Sequence, residues 1–201
     1  MDGLFSAAIG LLRYPQARTV FLGYGHFTNT FSASFPSSEK RIIICDLGLN
    51  EDQSLIDLCK GFFSKSKDAG CDIVWLDHHY WNEEIKKRVQ SFSKLILSPE
   101  HEQKCAAELV YQQFAKDRTA CRRMAEFAHV VDFRLPGVHN LPPLPEIITY
   151  YRSMPDAYSK LQQLIEKISR GIFWDEDLQE EYSKYLPLKE EALVSTLKSV
   201  S

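Results

Sequence analysis

Four apolar residues in an unbroken run, Ile73-Val74-Trp75-Leu76, lead directly into Asp77-His78-His79. A short continuous apolar run fits a strand buried on both faces, as in a parallel sheet, better than a strand with one wet face. Burying both faces requires layers on either side, so the run points to a sheet flanked by helices. An acid and two adjacent imidazoles at the end of such a strand must each find a partner where water is scarce. They are placed for metal binding or proton chemistry.

Other β-rich runs share this form. Thr19 to Leu22 leads to Gly23-Tyr24-Gly25-His26, Ile42 to Cys45 ends on Asp46-Leu47-Gly48, and Lys94 to Leu97 is stopped by Ser98-Pro99. Before the third strand, Leu55, Ile56, Cys59, Phe62 and Phe63 recur at helical spacing, with Asp52 as a cap and Gly70 as a stop. Strand, helix, strand predicts an α/β fold: a parallel sheet flanked by helices in Rossmann-like layers. In open parallel sheets the loops at the carboxyl ends of the strands converge. That topology would gather His26, Asp46 and Asp77-His78-His79, with Asp132 as a further candidate at the end of a helix. Each residue alone has a plainer role, Asp46 or Asp132 as a turn cap and His26 as a solvated loop residue. As a set, carboxylates with imidazoles suit Mn²⁺, Zn²⁺ or Fe²⁺.

Helices are expected from Leu4 to Leu12, along Cys105, Leu109, Val110 and Phe114, and along Cys121, Met124, Phe127, Ala128 and Val131. The turn Leu135-Pro136-Gly137 and the run Pro142-Pro143-Leu144-Pro145 mark a boundary. The reading is an α/β domain over residues 1–140 and a helical extension over 141–201. In the extension, Ala157, Leu161, Leu164, Ile165 and Ile168 form a stripe ended by Gly171. A helix then starts at Asp175, and a last one carries Pro187 in its first turn.

Composition narrows the functional classes. A net charge of −3 gives no global attraction to nucleic acid or anionic membranes. Two local clusters, Lys86-Lys87-Arg88 and the set Lys116, Arg118, Arg122 and Arg123, could track a single strand's backbone, although solvated helix faces explain them as well. The five cysteines include no CxxC pair, which fits reduced buried thiols. The N-terminus lacks a basic leader and no apolar run could span a bilayer, so a cytoplasmic location is expected.

Asp77-His78-His79 after an apolar strand resembles the signature of the DHH phosphoesterase superfamily, which includes RecJ exonucleases, oligoribonucleases and family II pyrophosphatases. Ile43-Ile44-Cys45-Asp46-Leu47-Gly48 is similar to the second motif of that family. Cys105-Ala106-Ala107-Glu108-Leu109-Val110-Tyr111 is similar to its small-residue helix, and Phe127-Ala128-His129-Val130-Val131-Asp132-Phe133 to its fourth motif. The resemblance covers about residues 1–135 and implies a DHH domain. Its first motif, His, three residues, Asp, one residue, Asp, aligns to His26-Phe27-Thr28-Asn29-Thr30-Phe31-Ser32. Thr30 and Ser32 stand where the family has acids.

By resemblance, His26, Asp46, His78 and Asp132 are metal ligands, and His79 contacts the substrate phosphate. With Thr30 and Ser32 neutral, the resemblance implies weak binding of at most one Mn²⁺ or Mg²⁺ ion. The extension also lacks the Gly-rich second domain of the active exonucleases. The resemblance therefore implies a catalytically degenerate protein, closest to the short archaeal RecJ-like subunits that accompany GINS and MCM in the replicative helicase. Two alternatives stay open: a metal-dependent phosphoesterase or single-strand exonuclease using a residual metal site, and single-stranded DNA binding without cleavage.

Overall fold

In the computed structural model of the chain, residues 1–22, 39–49, 53–99, 101–135 and 141–200 are described, without the side chains of residues 53 and 195–200. The chain divides into two compact units, Asp2–Arg134 and Leu135–Ser201.

The first unit is α/β. Helix α1 (Asp2–Arg13) is followed by strand β1 (Arg41–Cys45), α2 (Gln53–Asp68), β2 (Asp72–Asp77), α3 (Glu83–Gln90), β3 (Lys94–Leu97), α4 (Ala106–Phe114) and α5 (Thr119–Asp132). The three strands form one parallel sheet in the order β1-β2-β3. Ile43 pairs with Val74 and Cys45 with Leu76, while Trp75 pairs with Leu95 and Asp77 with Leu97. This register brings the carboxyl ends of β1 and β2 side by side.

Alternation along β2 explains the layers. Ile73 and Trp75 share a core with Ile42 and Ile44 of β1, with Ile56, Cys59 and Phe63 of α2, and with Ile85 and Val89 of α3. Val74 and Leu76 point to the other face and are equally buried. There α1 packs on β1, and α4 packs on both β1 and β2. The anchor of the first core is Trp75. Its indole is edge-on to Trp81 and Phe63, at 5.6 and 6.1 Å between ring centroids, and its Nε1–H donates to the Leu47 carbonyl at 2.9 Å.

Local chemistry sets the helix ends. Gly70 adopts φ +86°, and the Gly70 and Cys71 N–H groups donate to the carbonyls of Lys67 and Ser66. Only glycine takes that left-handed turn without steric cost, and it directs the chain from α2 into β2. At α3, the Asn82 side chain caps the first turn through the Ile85 N–H at 2.8 Å.

The second unit is helical: α6 (Leu144–Arg152), α7 (Ala157–Ser169) and α8 (Glu176–Val200). Its core is Leu144, Ile147, Ile148 and Tyr151 with Leu161, Leu164, Ile165 and Ile168, and Leu178 is buried as well. Lys189 of α8 pairs with Glu146 of α6 at 2.8 Å.

Two expectations change. Thr19 to Leu22 is half-buried and is not a strand. Pro187 does not open a last helix: α8 starts just after Asp175 and continues through Pro187, with the Ser183 hydroxyl donating to the Gln179 carbonyl. The charged segment Glu83–Gln90 is a helix, as the helix-face reading of Lys86-Lys87-Arg88 supposes, held by its cap and the buried Ile85 and Val89. The proline run lies at the start of α6, where proline is tolerated in a first turn. The expectations at His26, Thr30, Ser32, Asp52 and Pro136-Gly137 lie outside the described residues.

Trp75→Ala is expected to lower the unfolding free energy by roughly 3–5 kcal/mol, from lost burial and the cavity it leaves. Urea denaturation followed by circular dichroism reads this directly. A loss below about 1 kcal/mol would contradict the central place given to this side chain.

Candidate metal centre

Three carboxylates meet at one imidazole nitrogen. Nε2 of His78 lies 3.4 Å from Asp46 Oδ1, 3.5 Å from Asp132 Oδ2 and 3.7 Å from Asp2 Oδ2. The ligand atoms of Asp2, His78 and Asp132 fall within 4.8 Å of one another, and so do those of Asp46, Asp77, His78 and His79. One ring N–H cannot satisfy three anionic acceptors, and the distances exceed those of good hydrogen bonds. A shared divalent cation fits this donor set better than a proton does.

Each carboxylate is delivered by a different element. Asp2 opens α1 and is completely buried. Its two oxygens accept the N–H groups of Ala106 and Ala107, at 2.5 and 2.8 Å, so it also caps the N-terminus of α4. Asp46 follows β1 with φ 55°, in the left-handed region that aspartate tolerates better than most residues. Its Oδ2 accepts the Gly3 N–H at 2.7 Å. A Cβ at Gly3 would sit only 3.1 Å from that oxygen, so the missing side chain is what lets helix and carboxylate approach. Asp132 is the last residue of α5, where the helix dipole disfavours an anion. Such a placement needs compensation by positive charge.

The neighbouring imidazole is held by a separate network. Asp77 is fully buried, accepting Trp81 Nε1–H at 2.6 Å and pairing with His79 Nδ1 at 2.8 Å. The Nδ1 contact leaves Nε2 of a 45% exposed side chain to face outward. Gly48 makes room for this ring, since a Cβ there would lie 3.1 Å from the His79 Cβ.

The electrostatics follow from the crowding. Burial pushes the Asp2 carboxyl up to about 6, and the Asp46 charge adds to this against the helix N–H donors. For Asp46, burial is outweighed by His78 and the Gly3 N–H, which together keep the carboxyl below its usual range. Contact with Asp46 raises His78 to about 9, with help from the charges of Asp2 and Asp132 and against burial. His79 is raised chiefly by Asp77.

Of the candidate ligands read from the sequence, Asp46 and Asp132 lie against His78, and His79 stands beside it. His26 lies outside the described residues. Asp2 was missed. Its signal was an acid followed by glycine at the start of an apolar helix, the kind of acid that normally serves as a solvated cap. The proposed nucleic-acid cations are mostly engaged: Lys86 pairs with Glu83, Arg88 with Asp57 and Arg122 with Glu126. Arg118 donates to the Leu12 carbonyl. These pairs favour solvated helix faces over a backbone-tracking groove.

No family of known proteins, no curated protein and no solved structure matches this chain. Among the described residues, no helix is long and apolar enough to cross a membrane.

Cation entry must expel the proton that His78 holds up to about pH 9. Calorimetric titration with Mn²⁺ at pH 7, in buffers of different ionisation enthalpy, should therefore show about one proton released per ion. Affinity should fall about tenfold per pH unit on acidification toward pH 6, where Asp2 begins to take up a second proton. A pH-independent affinity would exclude His78 as a ligand.

Proposed function

We propose that the chain is a divalent-metal-dependent phosphoesterase of the DHH kind, with Asp2, Asp46, His78 and Asp132 as the metal-binding set. The observation that carries this reading is the meeting of three carboxylates at His78 Nε2. The degenerate reading rests on the neutral Thr30 and Ser32 and on an extension without the Gly-rich motif. Asp2 supplies a carboxylate that the sequence alignment does not count, so the argument from missing ligand charge loses its force.

The chemistry fits the placement of the chain's own groups. A bound Mn²⁺ would offset phosphate charge and make a water molecule more acidic. His79, tied back by Asp77, presents its outer nitrogen to a phosphate oxygen. The buried Asp77 carboxylate, fixed by Trp81, holds that ring in one orientation and supports its positive charge. The α4 N-terminus, through Asp2, ties the centre to the helix layer.

The test is hydrolysis of bis(p-nitrophenyl) phosphate and of short single-stranded DNA and RNA by the pure chain with Mn²⁺, Mg²⁺ or Zn²⁺. Asp46→Asn and His78→Ala are each expected to lower turnover by about a hundredfold or more, and His79→Ala by about tenfold to a hundredfold. Turnover that survives His78→Ala would sink this assignment.

A second reading, a scaffold subunit binding GINS or MCM, is favoured by a different observation. Helix α8 leaves Leu186, Leu188, Leu193 and Val194 exposed, at 37–56%, and apolar residues grouped along one exposed helix suit a docking surface. Absence of hydrolysis together with micromolar binding to purified GINS would establish the scaffold role. If purified GINS does not bind at that concentration, the replication assignment is removed.

A further inference from the structure

We propose that Glu108 and His129 form a proton-delivering dyad beside the metal centre, which protonates the leaving oxygen of a phosphodiester. This rests on the hydrolytic reading above. The two residues lie on adjacent helices, α4 and α5, and meet through His129 Nδ1 and Glu108 Oε2 at 2.6 Å. Glu108 is itself fixed, because the same oxygen accepts the Cys105 N–H at 2.9 Å at the start of α4. A carboxylate can only accept, so Nδ1 carries the shared proton and Nε2 becomes the working nitrogen. Among the described residues no group pairs with that nitrogen.

The dyad is next to the centre without belonging to it. His129 lies one helical turn before Asp132, and residues at that spacing share a helix face about 5–6 Å apart. The Phe133 ring contacts both imidazoles, with centroids 4.8 Å from His129 and 6.0 Å from His78. Neither Glu108 nor His129 contributes to the two ligand groups around His78. Both side chains are partly open, at 23% and 29%, so a substrate atom can reach the ring while the hydrogen bond between them keeps some shelter from water.

Hydrolysis needs such a group. Attack by water forms a new phosphorus–oxygen bond, and the bond to the ester oxygen breaks with its electron pair moving to that oxygen. An alkoxide leaves poorly unless it is protonated as the bond opens. The His129 imidazolium gives its Nε2 proton to the departing oxygen and keeps its Nδ1 proton, which stays in the hydrogen bond donated to Glu108. One proton of the attacking water stays on the phosphate product. The other goes to solvent, from which Nε2 is reprotonated. Ester and water give alcohol and phosphomonoester, with no change of oxidation state. Glu108 acts here as a positioning residue, through His129.

The plain alternative is that the pair only bridges α4 and α5. Leaving-group dependence separates the two roles, since a structural bridge has no reason to sense the acidity of the alcohol. The experiment uses the full chain with Mn²⁺ and phosphodiesters carrying nitrophenol, phenol and alkyl alcohol leaving groups. His129→Gln is expected to lose less than about tenfold on the nitrophenyl ester and about 10²–10⁴-fold on the alkyl ester. Glu108→Gln should show the same slope with smaller losses, and it carries the test if His129→Gln does not fold. Calorimetric Mn²⁺ affinity should stay within about twofold in both variants. Long-range proton–nitrogen NMR should find the His129 imidazole, assigned by its absence in His129→Gln, with a proton fixed on Nδ1 in the unaltered chain and released in Glu108→Gln, while the His79 signal stays in place. Equal losses across the ester series would overturn the dyad and leave hydrolysis standing. No turnover of any ester by the unaltered chain would overturn both.

Discussion

A carboxylate taken completely out of water must be compensated, and in this fold Asp2 is that carboxylate. Two backbone N–H groups at the start of α4 compensate part of its charge, and the dipole of that helix adds to them. The remainder faces His78. One side chain therefore joins α1, the N-terminus of α4 and the carboxyl end of β2. Because Asp46 and Asp132 crowd the same imidazole, the site holds more negative charge than a single proton can balance. The layers around the sheet position these groups, and the charge imbalance gives the position its chemical meaning.

Two close approaches make the cluster possible, and both depend on a missing side chain. Gly3 lets its own N–H reach Asp46, and Gly48 lets the chain pass against His79. Neither glycine has positive φ, so the requirement is space and not backbone conformation. The second buried carboxylate, Asp77, solves its own desolvation locally through Trp81 and His79. Its side-chain partners are an indole and one imidazole of its own, whereas Asp2, Asp46 and Asp132 converge on the single Nε2 of His78. That contrast separates the group that orients an imidazole from the groups that would hold a cation. The helical unit is simpler: apolar stripes on α6 and α7 form its core, and ion pairs such as Lys167 with Asp175 and Asp177 decorate its surface.

Much of the first unit was legible in the chain itself. The unbroken run Ile73 to Leu76 implied a strand covered on both sides, and the helical spacing of Ile56, Cys59 and Phe63 implied the crossover before it. Glycine at position 70 marked the turn between them. Each of these signals is local, set by side-chain period or backbone conformation within a few residues. The error at Thr19 to Leu22 has the same origin read in reverse. Apolar β-branched residues favour a strand, but that preference is local and weak and does not by itself form one. Pro187 likewise looked like a boundary, yet an exposed helix can lose one hydrogen bond there and continue.

The sequence by itself determined the pieces: an α/β unit, a helical extension, and polar residues at strand ends with the composition of a metal site. Which of those residues meet was decided only by tertiary structure. Asp2 and Ala106 are more than a hundred positions apart, and no periodicity links an acid at one helix start to the free N–H groups of another. The fourth member of the cluster therefore went unread, while Asp46 and His78 were legible because a parallel sheet collects its strand ends, and Asp132 as the acid that ends a helix. His129 stayed hidden for the same reason. Its partner Glu108 lies on another helix, and only packing sets a carboxylate 2.6 Å from that ring.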